Sequence, residues 1–198
     1  MSRLVVIIGH TCTGKSTLAK KFEKIGFKRI VPYTTRKPRK GEVDGKEYHF
    51  ISKDRYLEIY DQLAESSLYE TEMGIAYYGT MKKDYDIPKG ESRVVVLNPK
   101  AIGKLHLANL DSTVIFLTNT RKNLMKFAEE RGDSRAEVLR RLSEDEAYFK
   151  TSKNFNTARE FLEYDMSTIT FDDIVLLDIL NNRGKNTDHN RRIDSLNR

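Results

Sequence analysis

Residues Gly9 to Ser16 read Gly-His-Thr-Cys-Thr-Gly-Lys-Ser and follow the apolar run Leu4-Val5-Val6-Ile7-Ile8. A buried strand that ends on G-x-x-x-x-G-K-S and opens into a helix is the setting of a phosphate-binding loop. The spacing follows from the task. Glycines let the backbone curl, consecutive N–H groups point at phosphate oxygens, and the helix that follows adds its positive end. Lys15 is placed to reach the β- and γ-phosphates and Ser16 to hold Mg²⁺. The segment Gly9, His10, Thr11, Cys12, Thr13, Gly14, Lys15, Ser16 and Thr17 is therefore the candidate ATP site.

Around this motif the chain has 198 residues, enough for one domain with a small inserted lobe. No apolar stretch reaches the roughly 18 residues that a membrane span requires. The N-terminus enters a core strand at once, so the expectation is that no secretory leader is present. A single cysteine, Cys12, excludes an internal disulfide and a Cys-rich zinc site. The expectation is a cytoplasmic protein with no membrane partner. The net charge of +6 raises nucleic acid as a partner, but much of the excess lies at residues 36–40 and in the tail 183–198. Basic and aromatic residues do not interleave as in a nucleic-acid platform. The tail lacks apolar periodicity and reads as flexible and solvated.

Apolar residues at 18, 22 and 25 give Ser16–Ile25 helical spacing, and Gly26 stops that helix. Phe27–Val31 reads as a short strand closed by Pro32, residues 33–47 as a loop or hairpin, and 48–51 as extended. Ser52 caps a helix expected over Arg55–Ala64. Leu68–Tyr78 suggests a hairpin around Gly74. Arg93–Leu97 and Thr113–Leu117 read as strands buried on both faces, and Lys100–Leu107 as a helix between them. Arg121–Arg131 and Arg135–Lys150 are charged helices, while Ile174–Leu180 is apolar and fits helix or strand. Buried β-runs alternating with helices make the fold class α/β with a parallel sheet. The stretch 33–85 interrupts the alternation as an inserted, partly β lobe.

That lobe opens on Thr34-Thr35-Arg36-Lys37-Pro38-Arg39 and reaches Tyr48-His49-Phe50. Two arginines three apart offer forks that match phosphate oxygens, and a tyrosine offers one more hydrogen bond. A solvated basic loop fits the same spacing equally well.

The segment resembles the signature of the guanylate kinase family: Thr-Thr-Arg, a basic residue, an acidic residue, a glycine and Tyr-x-Phe, at family spacing. The likeness covers about residues 3–165. It implies a P-loop kinase fold: a parallel sheet core flanked by helices (1–32 and 86–182), a mixed-β nucleoside-monophosphate lobe (33–85) and a helical lid (about 121–150). It also implies ATP-dependent phosphorylation of GMP, and of dGMP, with Mg²⁺ accompanying ATP. Carried over by position, Arg36, Arg39, Tyr48 and Tyr78 hold the GMP phosphate, and Thr80 faces the guanine. Glu70 reads the base, with Glu72 as competitor because the spacing to Tyr78 is one residue short. Arg131 and Arg141, in Arg131-Gly132-Asp133-Ser134 and Arg140-Arg141-Leu142, resemble lid arginines that close over the phosphates. With Lys15 they form the expected catalytic set. An ordinary charged helix with a Glu137–Arg141 pair is the alternative.

The chain departs from the family pattern at several positions. Pro32 stands where many members carry a serine, and Asn98-Pro99-Lys100 where the family shows Asp-x-Asp, which bears on metal affinity and guanine selectivity. The family's asparagine near adenine has no clear counterpart around 164–170. Cys12 stands where glycine is usual, and oxidation of a thiol beside a helix N-terminus would block nucleotide entry. Two rival readings remain: a nucleoside or deoxynucleoside monophosphate kinase of altered base preference, and a non-catalytic guanylate-kinase-like binding module. The intact Gly9, Gly14, Lys15 and Ser16 speak against the module.

Overall fold

The computed structural model describes residues 3–167 apart from 40, 72–73, 103, 106–111 and 152–159. The expected segment Ile174–Leu180, the tail 183–198, Glu72 and residues 103, 106 and 107 of the expected Lys100–Leu107 helix lie outside the described residues. That helix is shorter than expected, with Lys104 in a turn and Leu105 in a bend. Among those described, β1 (Arg3–Gly9) is the centre of a five-stranded parallel sheet. Its neighbours are β7 (Ser92–Val96) and β8 (Ser112–Thr118), with β2 (Lys28–Ile30) and β9 (Glu160–Asp165) outside them. Leu4 to Ile8 are fully buried, and each such side chain stabilises the fold by about 1.5–3 kcal/mol. Even and odd positions of β1 serve opposite layers. Leu4, Val6 and Ile8 pack with Val95, Ile102 and Phe116. Val5 and Ile7 pack with Leu18 and Phe22 of α1 (Lys15–Lys24).

A second, four-stranded sheet has the order β4-β3-β6-β5. It is built from β3 (Tyr33–Thr34), β4 (His49–Phe50), β5 (Leu63–Thr71) and β6 (Gly74–Met81). The β5–β6 hairpin is antiparallel, β3 runs antiparallel to β6, and β3 and β4 run parallel. The interrupted alternation over 33–85 is thus a mixed sheet. The helix expected over Arg55–Ala64 is shorter: α2 covers Lys53–Glu58, with the Ser52 hydroxyl accepting from Arg55 N–H. A single 3₁₀ turn follows, and Leu63 and Ala64 already belong to β5. The reason is a change of period. Leu63, Glu65, Ser67 and Tyr69 alternate inward, and a helix cannot bury that set on one face.

After β7 comes the short α3 (Pro99–Ile102). After β8, α4 (Arg121–Glu130) and α5 (Arg135–Thr151) turn about Gly132, whose φ is +77°. Leu124 and Ala128 of α4 pack with Val138 and Leu142 of α5. Strand β9 was not foreseen. Among the described residues it pairs only with β8, and its sequence Glu-Phe-Leu-Glu-Tyr-Asp lacks the continuous apolar run of a central strand. Among the described residues, no helix is long and apolar enough to cross a membrane.

Candidate nucleotide site

The phosphate-binding loop leaves β1 at Gly9, where φ is +147° and an added Cβ would lie 2.3 Å from the Leu117 carbonyl oxygen. Only glycine fits that approach. Gly14, at φ +90°, sets the first turn of α1. Cys12 is the one non-glycine with positive φ among the described residues, at +63°, which accounts for a glycine preference at this position. The ammonium of Lys15 folds back over the loop and donates to the carbonyls of Gly9 (3.0 Å) and His10 (2.6 Å). Burial pushes Lys15 down to about 8, against the pull of Asp145. Asp145 on α5 accepts from Thr11 N–H at 3.1 Å, so this helix is tied to the loop through a buried carboxylate. Burial raises the Asp145 carboxyl, with Lys15 and Arg141 opposing it.

The His10 ring packs against Phe149 and Phe116, and burial with Lys15 nearby lowers its pKa. That is a packing role. Ser16 and Thr17 are exposed on the first turn of α1. Among the described residues no three His, Cys, Asp or Glu side chains converge as a metal cluster. The Ser16 hydroxyl is a hard oxygen donor of the kind Mg²⁺ takes beside phosphate oxygens and water. These residues fit a cation that arrives with a nucleotide.

On the mixed sheet, Arg36 forms a bidentate pair with Glu42, both contacts at 2.9 Å, and lies over the rings of Tyr48 and Phe50. Glu42 also accepts from Arg39 N–H at 2.7 Å. Burial alone would raise the Glu42 carboxyl, but these donors hold it below the ordinary range. Tyr48 and Tyr78 meet edge to face at 5.9 Å. The guanidinium of Arg39 reaches across to Asp133 at 3.2 Å and Glu137 at 3.6 Å, at the α4–α5 corner. At that corner Arg131 pairs with Asp133 and approaches Cys12 Sγ at 3.2 Å. Arg141 makes the i,i+4 contact with Glu137 at 3.9 Å; burial works against its charge, and the Asp145 carboxylate is among the groups that favour it. The structure therefore brings Lys15, Arg39, Tyr48, Tyr78, Arg131 and Arg141 toward one region.

Beside it lies a cleft lined by Pro32, Tyr48, Glu65, Ser67, Tyr78 and Asn98. Thr80 is fully buried and donates to Glu65 Oε1 at 3.0 Å. Glu65 is 5% exposed, its Oε2 has no hydrogen-bond partner, and burial pushes its carboxyl up to about 7. Glu70 is elsewhere: it is exposed, and its backbone carbonyl meets Arg140. Lys100 turns its ammonium to Glu144 (3.4 Å) and to the face of Tyr69 (4.5 Å). Sequence reasoning missed Glu65 and Asp145. For Glu65 the signal was available, an acid at an inward position of the alternation Leu63 to Tyr69.

The family model described as Guanylate kinase matches residues 1–177. A guanylate kinase of Blochmanniella floridana is 32% identical over 177 residues, covering 85% of this chain and 79% of that protein. One of Onion yellows phytoplasma is 31% identical over 167 residues, covering 80% and 74%. Against one of Wolinella succinogenes, 31% identical, the chain spans 65% of the relative's length. A crystal structure of guanylate kinase from Anaplasma phagocytophilum shares the fold, with a TM-score of 0.57 and 18% identity over 91% of this chain and 83% of that one. The match runs from the phosphate-binding loop through the mixed sheet and the α4–α5 corner, and the chain belongs to the guanylate kinase family of nucleoside monophosphate kinases.

Proposed function

We propose that the protein transfers the γ-phosphoryl group of ATP to GMP, with dGMP as a second acceptor, and acts in the cytoplasm where these nucleotides are held. One observation carries the reading: a buried glutamate, Glu65, with a free carboxylate oxygen in a cleft whose wall Tyr48 shares with the Arg36 loop. An ionised carboxylate accepts from guanine N1–H and N2–H₂, and adenine presents no such donor pair. In this reading Glu65, rather than Glu70, selects the base.

Arg36, Arg39, Tyr48 and Tyr78 hold the acceptor phosphate. One of its oxygens is the nucleophile and is already ionised near neutral pH, so no general base is needed. The repulsion of two polyanions is the obstacle, and alignment with neutralisation removes it. Lys15, Arg131 and Arg141 stabilise the phosphoryl group in transit. The Ser16 hydroxyl would hold Mg²⁺ among the ATP phosphate oxygens, where the ion supplies further charge neutralisation. Closure of the 33–85 lobe and the α4–α5 lid would exclude water and suppress ATP hydrolysis.

A panel of GMP, dGMP, AMP, CMP, UMP and dTMP with ATP and Mg²⁺, followed by coupled ADP release, tests this. GMP and dGMP should be favoured in kcat/KM by about 10²-fold or more. Equal use of AMP would instead favour the altered-preference kinase suggested by Pro32 and Lys100. GMP binding without turnover of any acceptor would leave only the binding module.

A further inference from the structure

Helix α5 rests on the phosphate-binding loop along one face. Val138, Leu142, Asp145 and Phe149 recur on it at helical spacing. The first two belong to the cluster against which Cys12 packs, Asp145 accepts from Thr11 N–H, and the Phe149 ring meets the His10 ring edge-on at 5.0 Å. Three consecutive loop residues are therefore held by one helix.

Packing accounts for the outer contacts of this face but not for the charge at its centre. Asp145 is 5% exposed; burial works against its ionised form, and Lys15 and Arg141 favour it. A neutral oxygen would satisfy one N–H at less desolvation cost than a carboxylate. The negative charge answers instead to the two cations. In the proposed mechanism Lys15 and Arg141 serve the phosphoryl group in transit, and Thr11 N–H belongs to the loop that cradles phosphate. Asp145 thus presents an oxygen anion to partners that a nucleotide phosphate would take. Two anions brought to those partners in a buried site repel each other strongly.

We propose that Asp145 is a built-in stand-in for a phosphate group: it holds the α4–α5 hairpin down on the loop, and the polyphosphate of the donor nucleotide must displace it to bind. The inference rests on the reading of residues 9–17 as the ATP site. Until the donor arrives, the carboxylate balances Lys15 and Arg141 and keeps the lid seated. The donor then releases the lid by taking over the same partners. The consequence is a lower affinity, because the nucleotide binds only that fraction of molecules in which the carboxylate has let go.

The test is calorimetric titration of Asp145→Asn with ATP and with tripolyphosphate, a phosphate chain that carries no base. The amide keeps the side-chain volume and an oxygen for Thr11 N–H, so the variant loses the charge and retains the fold. Its Kd for both ligands should fall about five- to tenfold. Asp145→Glu, which restores the charge one methylene further out, should stay within about twofold of wild type. A Kd for either ligand that is unchanged or higher in Asp145→Asn, or an equal gain in Asp145→Glu, overturns the stand-in role while the loop remains the ATP site. So does a melting temperature more than about 10 °C below wild type, which would mark the carboxylate as a structural tie. A wild-type protein that binds neither ATP nor tripolyphosphate sinks the reading of the loop itself, and this inference with it.

Discussion

Arg39 Nε lies 3.2 Å from Asp133 Oδ1, joining the loop of the mixed sheet to the α4–α5 corner. Glu137 adds a second carboxylate at 3.6 Å. In the proposed mechanism Arg39 binds the acceptor phosphate, so these carboxylates occupy its guanidinium until an acceptor competes for it. Asp133→Asn should therefore tighten GMP binding about three- to fivefold, a modest gain in keeping with a partly solvated pair. Calorimetric titration with GMP alone checks this, and an unchanged or weaker Kd contradicts it.

Lys15 donates to two carbonyls of its own loop, contacts that γ-phosphate oxygens would replace. Lys15→Ala should lower kcat by about 10³-fold while circular dichroism and melting remain close to wild type. A second consequence concerns protons. With the free ammonium titrating near 8, ATP favours the charged form, so binding at pH 8 takes up protons and ATP affinity falls as the pH rises further. Calorimetry in buffers of different ionisation enthalpy measures that uptake.

Glu65 gives GMP use its own pH dependence. Its carboxyl is pushed up to about 7 by burial, so below that pH the folded protein holds a proton that would have to leave before the group accepts from guanine. The kcat/KM for GMP should rise through about pH 7. Glu65→Gln should flatten that rise, apart from the ionisation of the substrate phosphate, and cost about 10²-fold in kcat/KM. Stability has the opposite slope. The folded state binds the extra proton between the ordinary carboxylate range and pH 7, so this group's contribution is full below that range and is lost as pH rises through 7. Urea melts at pH 5 and pH 8 should show Glu65→Gln losing less stability between the two than wild type.

Legibility followed range. The loop from Gly9 to Ser16 is a local motif between a strand and a helix, and both formed where the pattern put them. Arg36, Arg39, Tyr48 and Tyr78 were named from a signature, and the fold gathers them because β3, β4 and β6 are neighbours in one sheet. Glu65 was hidden because Arg55 to Ala64 carries a plausible helical pattern whose true end depends on the β5–β6 register. Asp145 looked like one more charge on a charged helix. Only the packing of α5 against the loop turns it inward to Thr11 N–H. Strand β9 takes its partner from β8 across more than 40 residues, and nothing in its own residues announces the pairing.

Gly79 lies between Tyr78 and Thr80 and shows how little room the β5–β6 pairing leaves. A Cβ there would meet the Glu65 carbonyl oxygen at 2.7 Å, Tyr56 Oη at 2.7 Å and Leu63 Cδ1 at 2.9 Å. The Leu63 methyl can turn away, but the carbonyl belongs to the neighbouring strand. Tyr56 Oη is fixed as well, donating to the Tyr78 carbonyl at 2.8 Å and meeting Ser66 Oγ at 2.8 Å. Gly79→Ala must therefore spread the two strands or break the Tyr56 contacts. The expected cost is about 2–3 kcal/mol, read as a fall in melting temperature of roughly 5–10 °C. Spreading would also shift Glu65 and Thr80, raising the KM for GMP severalfold. ATP affinity should stay within twofold, because the phosphate-binding loop is carried by the parallel sheet. Differential scanning calorimetry with separate ATP and GMP titrations checks each part. An unchanged melting temperature would mean that the strands yield without cost, and the tight contact at this position would then have no mechanical consequence.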